Sequence, residues 1–144
     1  MPARRSTTCA WAIATGLALT AACAPATGAP PPPAVALAVS YTAGTVRAGA
    51  TLTCGPGGER MTGFLTHRSP RLLCARARVL RAFLVVGPDR GRLCSQVYGG
   101  PDRALVRGRI GASSIRRWFG RADGCQIADW SRTGLLLPHP RGAP

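Results

Sequence analysis

Four cysteines in the C-terminal part of the chain constrain its fold more than any other sequence feature. They are Cys54, Cys74, Cys94 and Cys125. An even set in a small exported domain is typical of two disulfides, although four cysteines allow three pairings. A zinc site is the competing interpretation, but there is no C-x-x-C pair, and His67 and His139 are far from metal-ligand spacing. We therefore expect two disulfides and neither a metal nor another cofactor.

The N-terminus indicates the oxidising compartment that disulfides need. A short basic segment precedes an uncharged apolar stretch, Cys9 to Ala24, and small residues follow it, as in a secretory signal peptide. Cleavage after Ala26 would satisfy an A-x-A rule and remove the chain's other two cysteines. We assign residues 1–26 to a signal peptide and the proline-rich residues 27–34 to a stiff spacer. The expected location is extracellular.

A lipoprotein signal is the alternative interpretation of the same segment. Residues 19–23 read Leu-Thr-Ala-Ala-Cys and resemble a lipobox, although threonine is a poor occupant of the position three before the cysteine. Lipidation of Cys23 would anchor the protein on the outer face of the cell membrane, and without it we expect no membrane association. A membrane span is not expected, because no uninterrupted apolar stretch reaches about 18 residues.

Hydrophobic periodicity predicts one α+β domain over residues 35–137, followed by a disordered tail at 138–144. The chain has 144 residues, which suffices for one core of about 100 residues plus a leader. Strands are predicted by alternation or β-branched runs, and a final strand is expected to close the sheet. They are Val35–Tyr41, Ala50–Cys54, Ala104–Ile110, Ser113–Phe119 and Leu135–Leu137.

A helix is predicted from Pro70 to about Val85, because Ser69 can cap its start and proline is tolerated in the first turn. Two other segments give weaker patterns. The residues between Gly55 and Thr66 show little regularity, and Asp123–Gly124 is interpreted as a turn. The apolar arc of the predicted helix would comprise Leu72, Leu73, Val79, Leu80, Phe83 and Leu84.

Four motifs in a fixed order resemble a known family. They are LTCGPGG at 52–58, THRSPRLLCA at 66–75, LCSQVYGGP at 93–101 and FGRADGCQIADW at 119–130. With the cysteine spacing, they make residues 35–137 similar to the subtilisin inhibitor-like (SSI) family of actinobacterial secreted proteins. The resemblance implies a single antiparallel sheet of about five strands with one or two helices on one face, and commonly a homodimer. It also implies that Cys54 pairs with Cys74 and Cys94 with Cys125.

The resemblance further implies that the chain inhibits a subtilisin-like serine protease through an exposed, substrate-like loop. In the family the scissile bond lies two residues after the third cysteine, which is here the peptide between Gln96 and Val97. The reactive loop would then comprise Cys94, Ser95, Gln96, Val97 and Tyr98. An uncharged Gln96 at P1 favours a subtilisin-type pocket over a trypsin-type pocket that requires a cation.

Two departures from the family pattern predict a less constrained loop. Ser95 stands where the family often has proline, and Gly99–Gly100–Pro101 inserts one residue close to the reactive bond. Catalysis by the chain itself is not expected. His67 and His139 lie in a loop and in the tail, where no Ser/His/Asp arrangement is supported.

The charge of the chain supports a second interpretation of its function. Nineteen cations, all arginine, stand against five acids, which gives a formal net charge of +14. The alternative function is therefore a non-inhibitory cationic module that binds anionic cell-envelope components and is lipid-anchored if Cys23 is modified. Nucleic acid is not expected as a partner, because export removes most intracellular targets. The aromatic and apolar residues near the C-terminus are expected in the core, namely Trp118, Phe119, Ile127 and Trp130.

Overall fold

The computed structural model describes residues 34–89 and 91–139. Within them, five antiparallel strands form one sheet with the spatial order β3-β2-β1-β4-β5, so the predicted α+β class with a five-stranded sheet is confirmed. The predicted signal peptide, Cys23, the spacer up to residue 33 and the tail from residue 140 lie outside the described residues. The strands are β1 (Val35–Ala43), β2 (Val46–Gly55), β3 (Gly58–Gly63), β4 (Arg103–Ile110) and β5 (Ser113–Phe119).

Three helices pack on one face of the sheet: α1 (Pro70–Val79), α2 (Arg81–Val86) and α3 (Gly124–Thr133). A single 3-10 turn, Gly134–Leu136, follows α3. Among the described residues, none of the helices combines the length and the apolarity needed to cross a membrane.

The core lies between this face of the sheet and the helices. Alternate residues of β1 are buried there, from Val35 to Tyr41, and the strand register places Val35 beside both Cys54 and Ile110. Cys54 of β2 is bonded to Cys74 of α1, and both are fully buried. This disulfide joins the sheet to its helical layer, as the resemblance implied.

The number of strands matches the prediction, but one of the five strands is a different segment of the chain. The predicted closing strand at Leu135–Leu137 is wrong, because these residues lie in and after the 3-10 turn, where Leu136 and Leu137 are buried in the core. The fifth strand is β3, in the segment that showed little pattern. It pairs with β2 at the sheet edge, and no residue of β3 is fully buried, so backbone pairing defines it without an apolar alternation.

The predicted helix is divided at Leu80, and its predicted apolar arc is partly wrong. Val79 is 74% exposed and Leu72 is also exposed. The buried stripe instead runs through Leu73, Cys74, Ala77, Leu80 and Leu84. This stripe includes Cys74, which is bonded to Cys54 of the sheet, and Leu72 and Val79 lie outside it and face solvent.

The predicted turn at Asp123–Gly124 is the start of α3. The Asp123 carboxylate accepts hydrogen bonds from the backbone N–H of Gln126 at 2.8 Å and from its side-chain Nε2 at 2.7 Å, which caps the helix. Phe119 and Trp130 are buried as predicted, and Ile127 is half-buried. The prediction for Trp118 is wrong: it is 63% exposed, because it points to the face of the sheet opposite to Phe119.

Candidate functional site

The predicted reactive residues lie together in an irregular, exposed segment. Residues 92–100 form neither helix nor strand between α2 and β4. Ser95 and Gln96 are exposed, the side chains of Val97 and Tyr98 are 59% and 66% exposed, and Cys94 is half-buried. We call residues 92–101 the exposed loop.

A disulfide and two backbone hydrogen bonds attach the exposed loop to residues 121–125, at the start of α3. Cys94 is bonded to Cys125, with 5.2 Å between their Cα atoms. The carbonyl of Ser95 accepts a hydrogen bond from the N–H of Gly124 at 2.9 Å, and the N–H of Gly99 donates to the carbonyl of Arg121 at 2.8 Å. Only Gln96, Val97 and Tyr98 lie between the two hydrogen bonds. The bond between Gln96 and Val97 is therefore bracketed by links to one continuous support.

Two glycines allow the loop and its support to approach each other closely. A Cβ atom on Gly124 would lie 2.1 Å from Oγ of Ser95, and one on Gly99 would lie 2.8 Å from Cδ1 of Ile127. Both distances are shorter than the contacts that carbon atoms make in proteins. Gly99, which the sequence presented as an added source of flexibility, is thus a contact point whose backbone is hydrogen-bonded.

An ion-pair network holds the N-terminal end of the exposed loop. Arg92 Nη1 lies 3.1 Å from Oδ1 of Asp129, and the other carboxylate oxygen of Asp129 lies 2.9 Å from Nη2 of the buried Arg117. Arg117 also stacks on the ring of Phe83, 3.8 Å from its centroid, and donates to the Phe83 carbonyl. Burial lowers the pKa of Arg117, while the Asp129 carboxylate opposes this shift. Asp129 thereby connects the start of the loop to the core.

A second buried acid holds the C-terminal end. The carboxylate of Asp102 accepts a hydrogen bond of 2.6 Å from the Tyr41 hydroxyl, and Arg121 Nη1 lies 3.5 Å from its other oxygen. The same Arg121 accepts the Gly99 hydrogen bond through its backbone carbonyl. Arg121 therefore links the backbone of the exposed loop to the buried carboxylate of Asp102.

All four aspartates of the sequence line one cavity of about 860 Å³ beside the exposed loop. They are Asp89, Asp102, Asp123 and Asp129. The backbone N–H of Gln126 lowers the pKa of Asp123, and burial partly opposes this effect. The cavity also borders Cys94 and Cys125, whose sulfurs are bonded to each other and so cannot bind a metal as thiolates. The acids of this arginine-rich chain are thus concentrated where the loop is supported.

The sequence predicts the exposed residues of the site but not the residues that support them. Arg92, Asp102, Arg121, Gly124 and Asp129 were not predicted as part of the site. Two sequence signals were available: Arg121, Gly124 and Asp129 lie within the last motif, with Arg92 and Asp102 flanking the third, and acids such as Asp102 and Asp129 are rare in this chain.

Comparison with known proteins gives a weak likeness in fold. No protein-family model matches the chain, and no curated protein matches it. A solved structure with a match is that of Streptomyces caespitosus sermetstatin in complex with Bacillus licheniformis subtilisin. The match has a TM-score of 0.40 and 16% sequence identity, and it covers 68% of this chain and 94% of that chain. The chain is therefore weakly similar in fold to a protein solved with subtilisin.

Proposed function

We propose that the protein is a secreted inhibitor of a subtilisin-like serine protease and that Gln96–Val97 is its reactive bond. The observation that carries the proposal is the exposed three-residue span, Gln96 to Tyr98, held between two backbone hydrogen bonds to residues 121–124. The proposal also includes secretion, for which the two disulfides fit an oxidising compartment, and the homodimer that the sequence resemblance implies.

Restricting the loop favours binding to a protease. A protease binds its substrate as an extended segment, and ordering a flexible one costs about 0.5 to 1.5 kcal/mol per immobilised side chain. Here the disulfide at Cys94 and the hydrogen bonds of Ser95 and Gly99 order the backbone before the partner arrives. The exposed side chains of Val97 and Tyr98 are free to contact the leaving side of the protease cleft, and tyrosine is a rigid anchor.

The same links explain why cleavage would not release the loop. Attack by the protease serine on the Gln96 carbonyl would form an acyl ester and free the amine of Val97. The acyl side would stay attached through Cys94 and the Ser95 carbonyl, and the amine side through the Gly99 N–H. The amine therefore remains beside the ester at high effective concentration, and its attack re-forms the peptide and frees the serine.

The test is titration of subtilisin with the oxidised, exported protein, followed by mass spectrometry of the mixture over time. Tight inhibition with slow, single-site cleavage between Gln96 and Val97 is expected. Rapid digestion at many sites, or an intact protein beside fully active protease, would contradict the proposal for subtilisin.

A change of specificity identifies the P1 residue. Gln96→Arg should add inhibition of trypsin, whose primary pocket takes a cation. Leu93→Arg is the matched control, because it adds the same charge at a fully exposed position three residues earlier. It should leave trypsin unaffected. Equal effects of the two variants would mean that Gln96 does not occupy the primary pocket.

A further inference from the structure

The face of the sheet that carries no helix is strongly cationic. Strand register and alternation place six arginines on this face, and all of them are exposed. None of the described strand positions on this face is an acid: Glu59 aligns with the buried Cys54, and the four aspartates line the cavity beside the exposed loop, which meets the open face at Thr42, Arg103 and Trp118. We call this surface the open face; its arginines are Arg47, Arg60, Arg103, Arg107, Arg109 and Arg116.

The arginines flank a floor of small side chains. The central strand contributes Ala36, Ala38, Ser40 and Thr42, and its neighbour β2 adds Thr51 and Thr53. Thr51 and Thr62 share a hydrogen bond of 2.7 Å across β2 and β3 on this side. Four arginines on β4 and β5 lie along one side of the floor, and Arg47 and Arg60 lie towards the other. The floor is two strands wide between Arg109 and Arg60, or roughly 10 Å, and one strand wide between Arg103 and Arg47.

The open face holds charges that the fold does not neutralise. Arg107 and Arg116 are directly opposite each other on neighbouring strands, an arrangement of like charges that destabilises a sheet. The ion pairs formed among the described residues involve Arg92, Arg117 and Arg121, and none of the open-face arginines. An anionic partner on this face would relieve that repulsion.

We infer that the open face binds a linear phosphodiester polymer without bases, such as a polyol-phosphate chain of a cell envelope. A guanidinium group donates two parallel hydrogen bonds to phosphate oxygens, and a surface with four arginines along one side and one at each end of the other fits an extended chain of phosphates. This binding uses a surface other than the exposed loop, because none of the six arginines belongs to residues 92–101, although Arg103 and Trp118 border the same cavity as the loop.

Other occupants fit the open face less well. A bilayer surface would require several exposed apolar anchors, and single-stranded nucleic acid would require a series of aromatic platforms, whereas Trp118 is the one exposed aromatic side chain that the described strands present on this face. A second copy of the chain stacked here would oppose two sets of six arginines with no acid between them.

The binding test is calorimetric titration of the oxidised, exported protein with synthetic poly(glycerol phosphate). Arg107→Gln, Arg109→Gln and Arg116→Gln combined should weaken binding on the order of 100-fold and reduce its salt dependence. The control combines Arg71→Gln, Arg78→Gln and Arg81→Gln, which remove the same charge from exposed helical positions. Its affinity should stay within about threefold of the unchanged protein. Equal losses in both triple variants would overturn the inference, because net charge alone would then explain binding.

A second measurement needs no variant. Trp118 is exposed on the open face and Trp130 is buried, so acrylamide quenching reports mainly on Trp118. The polymer should protect Trp118 from quenching, and an absence of protection would overturn the assignment to this face. Tighter binding of oligothymidylate or of phosphatidylglycerol vesicles would overturn the choice of partner. If Trp118 is already protected from acrylamide in the absence of polymer and the protein sediments as a dimer, the open face is an interface between two copies of the chain. That result would also overturn the inference.

Discussion

The two disulfides close segments of similar length in opposite surroundings. Cys54–Cys74 spans 20 residues in the core, where both cysteines are fully buried. Cys94–Cys125 spans 31 residues and lies half-buried beneath an exposed loop. Chain entropy alone assigns them about 3 and about 4 kcal/mol of stability. Their difference is therefore in what each bridge holds: the first holds a packed interface and the second holds a loop with little packing of its own.

The two disulfides should differ in their main effect: the first stabilises the core, and the second positions the exposed loop. Around Cys54 and Cys74, leucines such as Leu52 and Leu73 bury the same interface, so the bridge and the packing support one another. Around Cys94 the side chains are exposed, and backbone hydrogen bonds and the Arg92–Asp129 ion pair are the remaining supports. Loss of the first bridge should loosen the core, whereas loss of the second should release the loop.

The largest effect on stability is expected from Cys54→Ala combined with Cys74→Ala. The free energy of unfolding should fall by about 4 to 5 kcal/mol, because the chain-entropy contribution is lost together with about 1 kcal/mol of buried sulfur packing. Urea unfolding followed by far-UV circular dichroism measures this change. A loss no greater than that of the other bridge would contradict the comparison.

Cys94→Ser combined with Cys125→Ser should have a smaller effect on stability and a larger effect on function. We expect a loss of about 3 to 4 kcal/mol in unfolding free energy. Inhibition of subtilisin should fall on the order of 100-fold or more, since the acyl side of the cleaved loop is no longer retained. Mass spectrometry should detect fast cleavage between Gln96 and Val97. Unchanged inhibition would mean that the hydrogen bonds of Ser95 and Gly99 suffice.

Gly124→Val tests the close contact without touching a disulfide. The new side chain would displace Ser95, whose Oγ is 2.1 Å from the position of the added Cβ, and would disturb the hydrogen bond to the Ser95 carbonyl. Inhibition should weaken about tenfold, a loss equivalent to freeing one or two side chains. Gly57→Val is the matched control, because nothing lies within 4 Å of its added Cβ, and it should inhibit normally. Equal inhibition by both variants would show that the contact is unimportant.

The smallest effect concerns pH and the start of α3. The pKa of Asp123 is lowered in the folded protein, chiefly by the N–H of Gln126. Its stabilisation is therefore complete above the unfolded pKa of about 4 and is lost as pH falls through the lower folded value. Hydrogen exchange of α3 should be slower in the unchanged protein than in Asp123→Asn near neutral pH, and this difference should vanish in acid. A difference that persists at low pH would contradict this assignment.

The sequence predicted the elements that carry an apolar pattern and missed those that depend on backbone or capping. β1, β4 and β5 follow from alternation, whereas β3 is a polar edge strand that only its pairing with β2 reveals. The start of α3 was available in the sequence, because Asp123 and Gln126 are spaced as in a capping box.

In the candidate site, too, the sequence predicts some residues and misses others. The exposed residues of the loop follow from a family resemblance at Cys94, but the contacts of Arg92 with Asp129 and of Tyr41 with Asp102 join residues 37 and 61 positions apart. Pairings over such distances depend on the tertiary fold, and a single sequence contains no local pattern that specifies them.

The hydrogen bonds that brace the exposed loop use only backbone atoms of Ser95 and Gly99. Side chains at 96, 97 and 98 can therefore be exchanged without removing either support. In the proposed inhibitor, the choice of protease and the stability of the loop would therefore depend on different atoms, so mutation would change which protease is recognised while the two backbone supports stay constant. A library randomised at these three positions, on an unchanged frame, would be a direct source of inhibitors with new specificities.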